Sequence, residues 1–369
     1  RRYRDASDEI YRHVQQHPLR PRDDELPLTA EGLVPNGWNV MTGLPTTTAV
    51  GLGSGSDSYY EYLLKGAVLR QPLHPTSDSH SHSQSVEWHM MQSYRRVVEE
   101  HLLSSTAKGV FRSGDSNELV YPVENGRRYE HLLCFVPGML ALGEHTHLLS
   151  EDADASVTSL AANLTDGCWN TYQDTSTGLG PETMNLYTNP RQHSTINSGY
   201  YLRPEFVESL FVLFRTTHNA EYQDRAWKVF LRMEEHCRLD LGYAGVSDVT
   251  GEDGGSGNHD DEMPSYFLAE TLKYLLLIFA PHAPSDEEYV SLDAYVFTTE
   301  AHPLLQTRHL SDCDDATGAT ARPKHTTRYL PIAPVLVWVS NSLLLVALYN
   351  AIRWMRGRKQ TPLKYQKTL

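Results

Sequence analysis

Apolar residues recur at helical spacing along most of this chain. After Pro204, residues Val207, Leu210, Phe211 and Phe214 fall at i, i+3, i+4 and i+7, on one face of an amphipathic helix. Proline suits the first helical position because the N–H that it lacks would have no partner there. Similar patterns predict helices at about 1–18, 58–70, 86–105, 137–149, 155–175, 204–217, 220–239 and 264–280, with few and short strands, as at 242–249. Such helices joined by loops predict an all-α fold in packed layers.

The C-terminal part of the chain has a different pattern. Residues 329–352 are 24 positions without a charge, and roughly 20 apolar residues suffice to span a bilayer. A basic cluster follows at once, formed by Arg353, Arg356, Arg358 and Lys359. The sequence therefore predicts a linker at 306–328, a transmembrane helix at 329–352 and a basic cytoplasmic tail at 353–369, with residues 1–305 lumenal. The alternative is a buried C-terminal helix, because Pro331, Pro334, Ser340 and Asn341 dilute the apolar run.

Composition narrows the functional class. The net charge of −14 over 369 residues argues against a nucleic-acid partner. Four cysteines are too few for a disulfide scaffold and are not spaced for zinc, so buried free thiols are one interpretation. The N-glycosylation sequon Asn163-Leu164-Thr165 favours an oxidising compartment instead. The sequence begins at Arg1 without a Met or a signal peptide, so we expect a fragment or a processed product.

Carboxylates gather at several predicted helix starts. Arg203, Glu205 and Glu208 crowd one of them, and Glu182 follows a Gly-Pro pair at another. Acids in a first helical turn complement the helix dipole by about 0.3–1 kcal/mol each, which is the simpler explanation for one Glu. Asp57 precedes a Ser-Tyr-Tyr-Glu capping box, which leaves its carboxylate free. The alternative makes Asp57 itself the N-cap.

Glu270 is an acid within an otherwise apolar helix, in the run 265–279. A buried charge without a partner is costly. Either Glu270 pairs with Lys273 at i+3, or it belongs to a functional site.

Five blocks of this sequence occur in the order typical of glycoside hydrolase family 47, which the chain resembles over about residues 30–305. These blocks are residues 57–65, 131–143, 178–182, 201–209, and 267–274 followed by 297–303. The family consists of class I α-1,2-mannosidases that trim N-glycans in the secretory pathway. Its fold is an (α/α)7 barrel, and this chain has too few helices to close one. The family's Phe-Glu-x-Thr-Ile-Arg block, which carries another acid, does not occur here. The resemblance therefore implies an N-terminally incomplete barrel.

The resemblance also implies roles for individual residues. It makes Asp57, Glu182 and Glu205 catalytic acids, with Glu182 as proton donor and Glu205 as the base that activates water. It assigns Thr299 two oxygen ligands to Ca²⁺, which takes about 6–8 oxygens in all. It pairs Cys134 with Cys168 in a disulfide. It places the following residues in contact with the substrate: His131, Arg203, Glu208, Phe267, Glu270 and Glu300.

The function implied is calcium-dependent, inverting hydrolysis of terminal α-1,2-linked mannose from high-mannose N-glycans. It would serve glycoprotein processing or endoplasmic-reticulum-associated degradation, at the membrane of the endoplasmic reticulum or Golgi. The alternative is a glycan-binding quality-control factor of the same fold with little or no activity. Gly55 replaces an Arg that selects the glycan branch in processing enzymes of the endoplasmic reticulum.

Overall fold

Helices occupy the predicted positions in the computed structural model. The structure describes residues 2–16, 33–47, 49–70, 85–104, 107–113, 119–124, 126–148, 151–187, 194–251, 258–280 and 290–307. The predicted transmembrane helix and cytoplasmic tail lie outside these residues, as does nearly all of the predicted linker. Within the described residues, no helix combines the length and apolar character needed to cross a bilayer.

Eight α-helices are present in this part of the chain. They are α1 (Arg2–Gln16), α2 (Asp57–Leu69), α3 (Val86–Arg96), α4 (Val136–His145), α5 (Glu151–Gln173), α6 (Glu205–Thr217), α7 (Ala220–His236) and α8 (Leu272–Phe279). A π-helical turn, Val97–Leu103, continues α3, and another, Phe267–Thr271, precedes α8. A 3-10 turn, His131–Phe135, leads into α4. The prediction of a mostly helical chain is confirmed.

Eleven short strands connect the described helices, all in antiparallel pairs. They are β1 (Trp38–Asn39), β2 (Leu44–Pro45), β3 (Val110–Arg112), β4 (Val120–Pro122), β5 (Arg128–Glu130), β6 (Thr183–Asn185), β7 (Ser194–Asn197), β8 (Arg238–Leu239), β9 (Gly242–Tyr243), β10 (Tyr295–Phe297) and β11 (Pro303–Leu305). Four sheets are two-stranded hairpins, and β5, β6 and β7 form a three-stranded sheet in that order. Strands of two to four residues are too short to show alternation, so the sequence did not predict this sheet.

Helix α6 lies at the centre of the packing and contacts α4, α7, α8 and the 3-10 turn. Its predicted apolar stripe is buried, and Leu210 and Phe211 have no exposed surface. Burial of one such side chain contributes about 1.5–3 kcal/mol. The Ser209 hydroxyl accepts from Gly138 N at 2.8 Å and donates to the Cys134 carbonyl. A Cβ on Gly138 would lie 2.9 Å from Ser209 Oγ, so glycine allows this close approach of α4 and α6.

Cys134 and Cys168 form a disulfide, with Cα atoms 6.1 Å apart, as the resemblance implied. It joins the 3-10 turn to α5 across 34 residues of sequence. The interpretation of four free thiols is therefore wrong. Cys237 is a buried free thiol, and Cys313 lies outside the described residues.

The starts of two helices differ from the predictions. Helix α2 begins at Asp57 with Ser56 as its N-cap, so the capping box at Ser58 and the alternative cap at Asp57 are both wrong. The physical reason is the preceding loop, where the Gly53 carbonyl accepts from Ser56 N and Asp57 N and starts the helical turn early. Pro204 is likewise the N-cap of α6 rather than its first residue.

Candidate functional site

A pocket rich in carboxyl groups lies where three helical segments and one loop meet. Helix α2 contributes Asp57 and Glu61, the start of α6 contributes Glu205 and Glu208, and the π turn before α8 contributes Glu270. Thr299, in the loop after β10, completes the polar lining, beside Leu132, Phe135 and Pro204. The pocket measures about 320 Å³, including the part that opens to solvent. The structure therefore brings together acids that are more than 200 residues apart in sequence.

Glu205 is held by a buried histidine. Its Oε2 lies 3.2 Å from Nδ1 of His131, and Nε2 of the same ring lies 2.7 Å from the Tyr172 hydroxyl. Burial raises the pKa of Tyr172 well above its usual value, so the phenol stays protonated. The ring therefore links the Glu205 carboxylate to a fixed neutral partner, which orients the carboxylate at the pocket wall. His131 acts here on Glu205, and its predicted substrate contact stays a prediction.

Glu182 is paired with Arg203. The Arg203 Nε lies 2.9 and 2.7 Å from the two carboxylate oxygens, and Nη2 lies 2.7 Å from Oε1. Such multiple contacts suit an ionised carboxylate. Glu182 precedes β6, and its carbonyl accepts from His131 N, so the ion pair joins the three-stranded sheet to the start of α6. The structure thus gives Glu182 a cationic partner, while the proton-donor role implied by the resemblance stays a prediction.

Glu208 belongs to a buried charged group. Lys65 Nζ donates to Glu208 Oε1 at 3.0 Å and also contacts the Glu61 carboxylate. The Tyr274 hydroxyl donates to the same Glu208 oxygen at 3.2 Å. Burial raises the pKa of Glu208 to about 7, although the Lys65 ammonium opposes the rise. Glu208 is therefore a carboxyl group that titrates near neutral pH.

Glu270 is buried in the π turn, a feature often found at functional sites. Burial and the neighbouring acids Glu205, Glu208 and Glu300 raise the pKa of Glu270 to about 7. Lys273 lowers it, yet the Lys273 ammonium donates to the Ala301 carbonyl at 2.9 Å. Glu270 lines the pocket and also interacts electrostatically with Lys273, so its substrate contact stays a prediction.

Asp57 is a half-buried acid at the first position of α2. Burial raises its pKa, and the charge of Glu205 adds to the rise. Its Oδ1 accepts from Ser58 N at 2.9 Å, which fixes the carboxyl group at the pocket.

Thr299 is exposed and reachable from the pocket. Its backbone N–H donates to the Tyr62 hydroxyl at 3.2 Å, and its Oγ1 lies 3.4 Å from Ser58 Oγ. In the described part of the chain, no three His, Cys, Asp or Glu side chains are grouped to hold a metal. The surrounding groups are oxygen donors, however, which are the ligands that Ca²⁺ takes. Thr299 is the residue that would hold a calcium ion together with water, and this role stays a prediction. Glu300 is exposed next to it.

Phe267 is placed differently from the expectation. Its side chain is fully buried, and its ring packs against Tyr243 at a centroid distance of 4.9 Å. In this structure the ring packs in the protein core, so the predicted contact of Phe267 with the substrate would require the ring to become exposed.

Two residues of the site were not among the predicted ones. Glu61 lines the pocket, and Lys65 binds both Glu61 and Glu208. The signal in the sequence was their spacing from Asp57, at i+4 and i+8 on one helical face.

Comparisons with known proteins found a matching family and similar enzymes. The sequence profile of glycosyl hydrolase family 47 matches residues 1–306. The mannosyl-oligosaccharide 1,2-alpha-mannosidase MNS1 of Arabidopsis thaliana is 37% identical over 74% of this chain and 45% of the relative. The endoplasmic reticulum mannosyl-oligosaccharide 1,2-alpha-mannosidase of Mus musculus is 34% identical over 82% of this chain and 42% of the relative. The chain thus spans less than half of the length of these two relatives.

A solved structure shows the same fold. The alpha-1,2-mannosidase from Trichoderma reesei superposes with a TM-score of 0.64, covering 80% of this chain and 59% of that chain. At 23% identity, this likeness concerns the fold alone.

Proposed function

Because this chain belongs to glycosyl hydrolase family 47, we propose that it hydrolyses terminal α-1,2-linked mannose from high-mannose N-glycans. The relatives it matches are named for this bond and for mannosyl-oligosaccharides. The observation that carries the proposal is the pocket in which Asp57, Glu205, Glu208 and Glu270 meet beside Thr299.

Glycoside hydrolysis requires one carboxyl group that donates a proton and one carboxylate that activates water or attacks the sugar. Different surroundings must push the two pKa values apart. The pKa of Glu270 is raised to about 7 and that of Asp57 is also raised, so these groups can hold a proton. Glu205 is oriented by His131 and is our candidate for the base. In this proposal water attacks the anomeric carbon while the leaving oxygen is protonated, which inverts the configuration.

Calcium is part of the proposal. Thr299 would supply its hydroxyl and carbonyl oxygens, and water and sugar hydroxyls would complete the shell. When bound, the ion would grip the hydroxyls of a mannose residue and add positive charge to an acidic pocket. The acids of this chain would orient water and move the proton.

The test is mannose release from an α-1,2-linked oligosaccharide, first with calcium and then with a chelator. We expect Glu205→Gln to lose at least about a hundredfold in rate, because proton transfer by a positioned group contributes about 10²–10⁴-fold. Glu100→Gln is the matched control, since Glu100 is an exposed acid on the π turn after α3. Proton NMR of the first-formed mannose distinguishes inversion from retention. If the rate of mannose release is the same with the chelator as with calcium, the reaction does not require calcium, and that part of the proposal is wrong.

A second candidate function is glycan binding without turnover. The observation that favours it is the Glu182–Arg203 ion pair. Glu182 is the acid expected to donate the proton, and its pairing with a guanidinium favours the ionised carboxylate, which has no proton to donate. Titration calorimetry with a high-mannose oligosaccharide would then show saturable binding while no mannose is released.

The compartment is also a proposal. The disulfide and the sequon both favour the lumen of the endoplasmic reticulum or Golgi, with residues 329–352 as the membrane anchor. Asn163 is exposed, but the Thr165 hydroxyl is buried and donates to the Ala161 carbonyl at 2.7 Å. Glycosylation would therefore precede the folding of α5. Treatment of the expressed chain with an N-glycan-removing glycosidase should increase its electrophoretic mobility. The same treatment should not change the mobility of Asn163→Gln. This result would support a lumenal location.

A further inference from the structure

One buried ammonium group connects two walls of the carboxylate pocket. Lys65 lies on α2, whose face carries Asp57, Glu61 and Lys65 at i, i+4 and i+8. Its Nζ contacts the Glu61 carboxylate on its own helix and donates to Glu208 on α6 at 3.0 Å. Only 5% of the Lys65 surface is exposed. Its charge therefore acts on these two acids with little screening by solvent.

The pocket holds more carboxyl groups than this cation can balance. Five acids line it, namely Asp57, Glu61, Glu205, Glu208 and Glu270. Lys65 is in contact with two of them, and Tyr274 adds a hydroxyl donor to Glu208 at 3.2 Å. Removal of one partner from a buried ion pair leaves a charge that is neither solvated nor paired. The protonation of Glu208 thus depends on Lys65.

We propose that Lys65 is a positioning residue of the hydrolytic site, which holds the Glu61 and Glu208 carboxyl groups in place, favours the ionised form of Glu208 and so sets the pH range in which the pocket works. The effect on activity rests on the proposed function, whereas the electrostatic role of Lys65 does not.

Other charged or titratable groups lie around the pocket, on each segment that forms it. They are Asp57 from α2, Arg203 and Glu205 at the start of α6, His131 from the 3-10 turn, Glu270, Lys273 and Tyr274 from the π turn and α8, Tyr295 from β10, and Glu300 from the last loop. Arg203 donates hydrogen bonds to Glu182, and Lys273 donates one to the Ala301 carbonyl. Lys65 is therefore the cation that directly contacts the Glu61 and Glu208 carboxylates. The Lys65 ammonium lowers the pKa of Glu208, whereas burial and the charge of Glu61 raise it. Removal of Lys65 would therefore raise the pKa of Glu208 further.

The first test is the pH profile of mannose release for the unmodified chain, Lys65→Met and Lys65→Arg. We expect the acid limb of Lys65→Met to move to higher pH by about 1–3 units, since a cation within a few ångströms lowers a carboxyl pKa by about that much. Lys65→Arg retains the charge and should restore most of the profile. An active Lys65→Met with an unmoved acid limb would overturn the proposal, because a purely structural role predicts a lower rate at every pH.

The second test needs no activity. We expect Lys65→Met to melt below the unmodified chain at about pH 8, and the deficit to shrink toward about pH 5, because Glu208 takes up a proton over this range. A deficit of the same size at every pH would overturn the electrostatic role. If Lys65→Met does not fold, the double variant Glu61→Gln with Lys65→Met removes one acid together with the cation and serves for both measurements. Absence of mannose release from the unmodified chain would refute the proposed function, while the melting series would still decide the role of Lys65.

Discussion

Two salt-bridge systems lie beside the carboxylate pocket, and they differ in burial and in charge balance. Among the described residues, the side-chain hydrogen bonds of Arg203 go to Glu182, and the two side chains are 23% and 14% exposed. Lys65 meets both Glu61 and Glu208, and these three side chains are 6%, 6% and 13% exposed. One system is a balanced pair near the surface, and the other is a buried cation shared between two acids.

The difference separates two tasks that a hydrolytic site requires. A one-to-one guanidinium–carboxylate pair with several contacts fixes geometry. A two-to-one system leaves a carboxyl group incompletely compensated, and accordingly the pKa of Glu208 rises to about 7 through burial. The first system is suited to hold the sheet against α6, and the second is suited to regulate protons.

The largest expected effect is on stability, when each system loses its cation. Lys65→Met should lower the free energy of unfolding by about 3–5 kcal/mol near neutral pH, because two buried carboxylates lose their partner. Arg203→Met should cost about 1–3 kcal/mol, because one carboxylate, Glu182, loses its partner there instead of two. Urea denaturation of both variants measures the difference. Lys108→Met, at an exposed lysine, is the control, and equal costs for Lys65 and Arg203 would contradict the comparison.

The next effect is a pH dependence of stability. The pKa values of Glu208 and Glu270 are raised to about 7 in the folded chain, compared with about 4.3 for an unfolded Glu. Between these values the folded state binds more protons than the unfolded state, so the stability contributed by these groups is present below about pH 4 and is lost as the pH rises to about 7.

Glu270→Gln should flatten this decline, because an amide does not titrate. Melting temperatures recorded at half-unit steps of pH compare it with the unmodified chain. A decline of unchanged slope in Glu270→Gln would show that Glu270 has an ordinary pKa.

The smallest effect concerns Tyr274, which donates one hydrogen bond to Glu208. Tyr274→Phe retains the aromatic packing against Phe211 and Phe297. It should lower the free energy of unfolding by about 0.5–1.5 kcal/mol, the usual net contribution of one hydrogen bond. In the background of Glu208→Gln the same change should cost less, and a full double-mutant cycle measures the coupling. Additive costs would show that the hydroxyl does not act through Glu208.

The fold was predictable where a pattern is local. The apolar stripe of α6 follows from helical spacing, and its buried residues include Leu210 and Phe211. The start of α2 was not predictable from spacing, because the loop that carries Gly53 begins the helix before Ser58. The three-stranded sheet was missed since its strands are too short to alternate.

The candidate site was predictable as a set of acids but not as a set of contacts. Resemblance to a family pointed to Asp57, Glu205 and Glu270, and these line one pocket. It also pointed to Phe267, whose ring is buried in the core. Lys65 was missed because its partner Glu208 is 143 residues away in sequence.

The sequence by itself determined where the helices form, which faces are apolar and which acids stand at helix starts, because these properties depend on neighbours within a few turns. Only the tertiary structure decided that Lys65 serves two acids, that Arg203 binds Glu182 and that His131 holds Glu205. These pairings depend on how closely the helices and the short sheet pack, and no local spacing encodes that distance. The pKa shifts have the same origin, since burial and charge from distant segments set them.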